Sequence, residues 1–444
     1  MKSEIKQRIT QLNNGEIPDG YIKTDFGVFP CDWVTNRTFG DLFDFYGGLG
    51  KSRDELGDKG HAYLHYGDMH RGNFSIVSLE RYSRLPKCDV VLKGNETYLM
   101  EDGDVAFLDA SEDLDGTSRA VLIDNPDNRP FIAGLHIIYG KSKDASLEKW
   151  YKQYITSSEN VRKQFQKLAV GFKVYGVNRD TLPRIKVAYP QTANEQSKIA
   201  EILMKWDEAI ELYNRQIEKL KLLKSVCLKK MFPKKGEKVP EWRFSDFTDD
   251  WEQRKLSDIT SLITKGTTPL DKTGIGEVNF VKIENIDETS GEITVAQKIS
   301  HLEHEGYLRR SQLKENDILF SIAGTLGRVT CVKSNILPAN TNQALAIIRL
   351  KSEDLLFVLT LLKGKTVADY IKRNPTVGAQ PNLSLEQVGK LYLQLPSCDE
   401  QCYIGRFFAY MDNLITLHQR KVESIEKQRK VLQQYLLNGI VRVK

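Results

Sequence analysis

Several stretches of this chain gather residue types that could do chemistry, and each fails on spacing or arrangement. Gly47–Gly48–Leu49–Gly50–Lys51–Ser52 ends like a phosphate-cradling loop, but such a loop needs a glycine five residues before Gly50, where this chain has Phe45. The stretch is read as a flexible basic loop. His61, His65, Asp68 and His70 carry metal-ligating atoms, yet their spacing matches no compact ligand motif and Tyr63 and Tyr66 interleave them, so no metal site is expected. His301 and His304, in a charged loop, make a weaker case still. Acidic residues from Glu101 to Asp115 would suit magnesium and a nuclease, but no lysine accompanies them in a usable arrangement, and such a loop can instead accept from cytosine amino groups. Adenine methylation needs Asn or Asp followed by two prolines and an aromatic; the nearest stretches are Asn125–Pro126–Asp127 and Asn374–Pro375–Thr376. No catalytic residue and no bound cofactor are therefore assigned to the chain. What remains is a set of hydrogen-bonding side chains, whose meaning depends on the elements that carry them.

The strongest such element occurs twice. TANEQSKIAEILMKWDEAIELYNRQIEKLKLLKSVCLKKMF begins at Thr192, and SCDEQCYIGRFFAYMDNLITLHQRKVESIEKQRKVLQQYLL begins 205 residues later at Ser397. Each follows a proline, Pro190 or Pro396, and each opens with a capping-box pattern, Thr192 with Glu195 and Ser397 with Glu400. A heptad seam runs along both. In the first helix it comprises Ile199, Trp206, Tyr213, Leu220 and Cys227 with Leu203, Ile210, Ile217, Lys224 and Met231. In the second it comprises Ile404, Met411, His418, Ile425 and Leu432 with Phe408, Ile415, Val422, Arg429 and Leu436. An apolar repeat of this period predicts helices packed side by side as a coiled coil. Two breaks match between the seams, Lys224 with Arg429 and Tyr213 with His418; a cation buried in a seam can fix register, but both cations are expected to reach to solvent near frayed ends. Five heptads make a rod of roughly 50 Å.

Bulk properties narrow the class. The 444 residues suggest about three domains, and the 40% hydrophobic content supports globular cores. No apolar run is long enough to span a bilayer, and the polar start MKSEIKQRITQLNNGE does not read as a signal peptide. Cysteines at 31, 88, 227, 331, 398 and 402 form no paired spacing and read as reduced thiols of a cytoplasmic protein. The net charge of +5 is modest, although lysines 219, 221, 224, 229, 230, 234, 235 and 238 crowd the end of the first helix and the linker after it.

The duplication extends beyond the helices. Asp32–Trp33 matches Asp250–Trp251, Asp41–Leu42 matches Asp258–Ile259, MEDGDVAF matches LKENDILF, and LHIIYGKS matches LAIIRLKS. Short apolar runs at Ala62–Tyr66, Val90–Leu92, Val105–Leu108, Ile318–Ile322 and Leu345–Leu350 predict strands between polar loops. Amphipathic stretches near Leu147–Phe165 and Asp354–Ile371 predict helices. The expected fold is α/β (α+β), with two duplicated globular domains separated by two long antiparallel coiled-coil helices in pseudo-twofold symmetry. Its segments are 1–17, an N-terminal helix expected to pack near the second long helix; 18–190, the first domain; 191–233, the first helix; 234–396, the second domain; and 397–444, the second helix.

These residues resemble a known family, the DNA specificity subunits of type I restriction–modification systems. RFSDFTDDWEQRKLSDI resembles the opening of a target recognition domain. GGLGKSRDELGDKGHAYLHYGDM and GDVAFLDASEDLDGTSRAVLI resemble first recognition domains. SIAGTLGRV, NTNQALAIIRL and VGAQPNLSLEQV, followed by the helix with its P…EQ…I start, resemble the second. The likeness covers essentially the whole chain, in the order domain, helix, domain, helix. The stretch LPRIKVAYP departs from it, since the second domain has an NLS-type lead-in at that point.

The resemblance implies a non-catalytic subunit that reads a bipartite target in double-stranded DNA, one half per domain, with the helices setting the gap. It implies two methyltransferase subunits and two restriction–motor subunits as partners. S-adenosylmethionine, ATP and magnesium are then expected on those partners. A rod of roughly 50 Å would place two readers about one to one and a half turns of B-DNA apart. Arg and Lys fork onto guanine, and Asn and Gln fit adenine. On that chemistry the DNA-binding candidates are Lys51, Ser52, Arg53, Tyr66, Arg71, Asn73, Ser111 and Arg119 in the first domain. In the second they are Lys265, Thr267, Thr268, Lys272, Asn285, Thr325, Arg328, Asn342, Gln343 and Gln380; the alternative for each is a turn residue or a phosphate contact, and Asn285 and Asn382 above all fit turns. The competing classes are a standalone nuclease or methyltransferase, which would act on DNA alone, and a coiled-coil scaffold, which would bind partners but not DNA.

Overall fold

The computed structural model describes residues 3–71, 76–77, 85–94, 96–111, 119–168, 175–234, 236–287, 291–295, 297–373 and 382–443, with the backbone alone described at 70–71, 76–77, 110–111 and 175–176. The chain folds as two compact units, Met1–Glu211 with Glu423–Lys444, and Leu212–Val422. The unit boundaries run through the two long helices, Ala193–Lys230 and Cys398–Leu437, so each unit owns part of both.

In the first unit Phe43–Gly47, Ile137–Ser142, Val105–Leu108 and Ala120–Ile123 lie side by side in that order, all antiparallel, with Ile76–Val77 added in parallel at the edge. In the second unit Thr260–Lys265, Leu345–Leu350, Ile318–Ser321 and Val329–Cys331 repeat the order and the directions. A second sheet is repeated too. Phe131–Ala133 pairs in parallel with His61–Leu64, which pairs antiparallel with Lys87–Cys88; Ala339–Thr341, Val278–Val281 and Gln297–Ile299 do the same. Val105–Leu108, Ala120–Ile123 and Ile318–Ser321 are buried at every residue. Covered on both faces, they read in sequence as unbroken apolar runs rather than alternating ones. The run Val90–Leu92 forms no strand, and Val91 is 84% exposed. Each predicted domain helix is two helices: Lys149–Thr156 and Glu159–Leu168 part at Ser157–Ser158, and Leu355–Leu362 and Lys365–Arg373 part at Gly364.

Each unit's core takes the start of one long helix and the end of the other. Ile199 and Leu203 join Tyr151, Tyr154, Tyr189, Leu436 and Leu437; Ile404 and Phe408 join Trp251, Phe357, Leu393, Cys227 and Met231. The seam residues Ile199, Leu203, Ile217, Ile404, Phe408, Met411, Ile415 and Val422 are buried, while Trp206 and Ile210 are half-buried. At the helix starts the apolar stripe therefore faces a domain core as well as the other helix. A fully buried leucine such as Leu203 is worth roughly 1.5–3 kcal/mol over an exposed one.

Within each unit the long helices run antiparallel. In the first, Asp207 meets Arg429 and Glu195 meets Arg442; in the second, Phe232 meets Phe408 and Lys224 meets Asp412. The seam cations do not reach to solvent as expected. Arg429 forks onto Asp207 at 2.8 and 3.2 Å and lies over the Tyr154 ring. Lys224 pairs with Asp412. The two acids, like the two cations, are related by the 205-residue repeat, so each unit has the same bridge with helix roles exchanged. Tyr213 and His418, the other matched breaks, meet edge to face at 5.5 Å.

The capping boxes form only in part. Thr192 and Ser397 accept from the backbone N–H of Glu195 and Glu400 at 3.4 Å, but both carboxylates turn to arginines. Arg442 binds Glu195 at 2.6 and 2.8 Å, and Arg243 binds Glu400 at 2.8 and 2.7 Å. The neighbouring Gln196 and Gln401 donate to Pro190 O and Pro396 O and accept from Glu148 N and Asp354 N. The Glu–Gln dyad thus joins each long helix to its domain. The N-terminal helix Ser3–Asn13 is tied by Arg8 Nη1 to Ile440 O at 3.1 Å, beyond the end of the second long helix.

Candidate nucleic-acid interface

The strand registers bring several loops to one end of each main sheet. In the first unit Gly47 lies opposite Ile138, Leu108 opposite Ile137, and Phe107 opposite Ala120. The loops starting at Gly48, Asp109 and Gly134 therefore leave together. The parallel pairing of Leu64 with Ala133 delivers the helix Tyr66–Arg71 to the same place. In the second unit Lys265 lies opposite Ala346, Ser321 opposite Leu345, and Val281 opposite Thr341. The loops starting at Gly266, Ile322 and Asn342 gather there, with the turn Ile283–Asn285.

A glycine permits this gathering in each unit. A Cβ on Gly48 would lie 1.9 Å from Gly134 O, and one on Gly266 would lie 2.1 Å from both Thr341 O and Asn342 O. Both contacts are backbone on backbone, so no side chain can move aside. Gly48 and Gly266 follow equivalent strands, which makes this crossing part of the duplication.

Most candidates of the first unit sit on this edge. Lys51 Nζ binds Glu55 at 2.8 Å, and Ser52 gives Glu55 its N–H at 2.9 Å and its hydroxyl at 3.0 Å. These contacts, led by Lys51, hold the Glu55 carboxyl at about 2. Arg53 pairs with Asp68 at 2.8 Å, which ties the loop to the Tyr66–Arg71 helix. Both pairs are exposed enough for phosphate to compete for the cations. Tyr66 is 41% exposed and packs on His65, which burial holds below the ordinary histidine range. Arg119 closes the hairpin loop, its carbonyl accepting from Leu108 N at 3.2 Å. Arg71 and Ser111 are described only as backbone, and Asn73 lies outside the described residues.

In the second unit Thr268 donates to Gln343, linking two loops. Thr267 N donates to Thr341 O at 3.0 Å. Lys265 is exposed at the strand end. Lys272 is exposed on a turn whose Leu270 and Asp271 N–H groups are held by Glu303. Three candidates do structural work. Asn285 accepts from Lys282 N at 2.8 Å, and Asn342 accepts from Ala344 N at 3.1 Å, as turn asparagines do. Arg328 donates to Ile283 O at 3.2 Å and Ile286 O at 3.1 Å, pinning the 283–286 turn to the hairpin loop. Thr325 is exposed, and its carbonyl accepts from Ser321 Oγ at 2.6 Å. Gln380 lies outside the described residues. Sequence reasoning passed over His136 and weighed Asp109 only as part of the acidic stretch from Glu101 to Asp115; the ring and the carboxylate meet only because two distant loops share the edge. Among the described residues no group of three His, Cys, Asp or Glu side chains is arranged to hold a metal, and no helix is long and apolar enough to cross a membrane.

Comparison with known proteins agrees with this geometry. The chain matches the model of the type I restriction modification DNA specificity domain twice, over residues 31–222 and 248–427. It is 27% identical over 308 residues to the type I restriction enzyme MjaVIII specificity subunit of Methanocaldococcus jannaschii, an alignment covering 66% of this chain and 70% of that one. Its fold is similar to the crystal structure of a type I restriction–modification S subunit from M. genitalium, with TM-score 0.60 at 16% identity, covering 91% of this chain and 96% of that one. A solved chain of a type I R–M system gives TM-score 0.51 at 14% identity, covering 96% and 100%. The chain belongs to the type I restriction modification DNA specificity family, whose specificity subunits recognise DNA and are not catalytic, and it carries that family's domain twice.

Proposed function

We propose that this chain reads a split target in double-stranded DNA, one half-site per unit, and sets the gap between the halves with its long helices. The observation that carries this reading is the repeated loop edge: one chain presents the same set of loops at the same end of the same sheet topology twice. The side chains differ between the two edges. Lys51, Ser52, Arg53 and Tyr66 stand on one; Thr267, Thr268, Thr325 and Gln343 stand on the other. Like scaffolds with unlike loops suit two half-sites of unlike sequence.

The helices are also the docking elements for two methyltransferase subunits, with two restriction–motor subunits joining them. Those partners carry S-adenosylmethionine, ATP and magnesium, and the assembly works in the cytoplasm. The exposed leucines Leu212 and Leu417, related by the repeat, offer the partners equivalent contacts on the two helices. The test is selection from a random duplex library by the purified chain with its methyltransferase partner. Enrichment of two short motifs at a constant gap supports the reading. A single continuous motif, or no enrichment by an intact complex, refutes it.

A further inference from the structure

We propose that His136 is a specificity-determining residue of the first unit, presenting its ring Nε2 as a hydrogen-bond acceptor to an exocyclic base amine, adenine N6 or cytosine N4. The inference rests on the DNA-reading function proposed above.

His136 stands on the gathered loop edge, between the strands Phe131–Ala133 and Ile137–Ser142. Its φ is +63°, a left-handed conformation that an L-residue adopts at a cost. Glycine would sit there without strain, yet the chain carries an imidazole. The surroundings hold that ring in one pose. Asp109 N donates to His136 O at 3.1 Å, so the two loops are joined through their backbones. The Asp109 carboxylate lies 3.1 Å from Nδ1. The Tyr66 ring meets the imidazole edge to face at 5.5 Å, and His65 supports Tyr66 from behind at 4.4 Å. The His136 side chain nevertheless remains 46% exposed.

The chemistry of the exposed nitrogen follows from the Asp109 contact. An ionised carboxylate can only accept, so the proton of the neutral ring belongs on Nδ1. Nε2 then offers a lone pair. In the major groove adenine and cytosine present an amine hydrogen to such an acceptor, whereas guanine O6 and thymine O4 would set lone pair against lone pair. Asp109 is a positioning residue: it fixes the tautomer and so the sign of the preference. In the second unit the equivalent loop carries Gln343, tied to Thr268, so that edge reads by other means.

The experiment maps N6-methyladenine motifs in cells co-expressing the full chain with its methyltransferase partner, for the parent, His136→Gly and Asp109→Asn. Glycine relieves the φ +63° strain, so His136→Gly is expected to keep the fold and the complex. It should relax one position of one half-site, where the parent requires A or C, by roughly tenfold, and leave the other half-site unchanged. An asparagine amide can donate to Nδ1 and move the ring proton to Nε2. Asp109→Asn should therefore shift the same position toward G or T. A parent motif reproduced unaltered by His136→Gly overturns the inference while the DNA-reading function stands. A uniform loss over both half-sites with the complex intact also overturns it. Absence of any chain-dependent motif in the parent removes the reading itself.

Discussion

Replacing Arg243 by alanine should cost the second unit more than removal of any surface ion pair. Arg243 forks onto Glu400 at 2.8 and 2.7 Å, at the start of the second long helix. The Glu400 side chain is 0% exposed and that of Arg243 only 11%. Such a pair adds little over a well-packed apolar pair, but removing one partner strands the other charge in the interior, at about 3–5 kcal/mol. For a unit of this size about 1 kcal/mol moves Tm by about 2–4 °C, so the second unit should melt roughly 6–20 °C lower. Lys224→Ala is the control, because the Lys224–Asp412 side chains are 24% and 47% exposed; exposed pairs of this kind contribute roughly 0–1 kcal/mol. The assay is scanning calorimetry of the full chain, with urea unfolding to check that the midpoint moves at constant slope. Adding Glu400→Ala to Arg243→Ala should cost much less than Glu400→Ala does alone. An Arg243→Ala loss below about 1 kcal/mol, or one no larger than that of Lys224→Ala, would refute the claim that buried charge, not helix propensity, holds this junction.

Three further outcomes are expected. Gly266→Ala places a Cβ 2.1 Å from two backbone oxygens, so it should distort the second unit's loop edge and abolish selection for one half-site; wild-type selectivity would contradict the crossing. Arg328→Ala frees the 283–286 turn and should impair the same half-site alone, measured by binding to DNA altered in each half; equal loss at both would point to a general role. Burial first of all raises the Asp104 carboxyl to about 7, whereas the equivalent Asp317 is forked by Arg349 at 2.7 and 2.7 Å. A raised acid binds its proton more tightly folded than unfolded, so its stabilisation is full below about pH 4 and lost as pH climbs through about 7. Asp104→Asn should flatten that slope in the first unit and stabilise it at pH 8, by on the order of 3 kcal/mol; an unchanged pH–stability profile would contradict it.

The duplication, the long helices and the buried strands Val105–Leu108 and Ile318–Ser321 were legible in sequence as repeats, heptads and apolar runs, whereas Ala120–Ile123 was not singled out. The loop edge was legible only in part. Lys51–Arg53 and Thr267–Thr268 stood out by residue type, and the fold brings them to equivalent positions. The turn roles of Asn285 and Asn342 rest on N–H groups three and two residues away and were open to a local reading, whereas the carbonyl contacts of Arg328 depend on a turn 42 to 45 residues distant. Asp109 and His136 lie 27 residues apart, and nothing local signals that they meet. The Glu–Gln dyad at each helix start read as half of a capping box because Thr192 and Ser397 fit that pattern. Its arginine partners lie 247 and 157 residues away. The seam cations misled for the same reason: local spacing predicts a frayed end, while the acid that each one meets belongs to the other helix.

The most direct test of the central claim is a map of N6-methyladenine in cells expressing the methyltransferase partner with and without this chain. A split motif methylated in both halves, at one fixed gap, and present only with the chain is the predicted result. An intact complex that leaves no chain-dependent motif would contradict it.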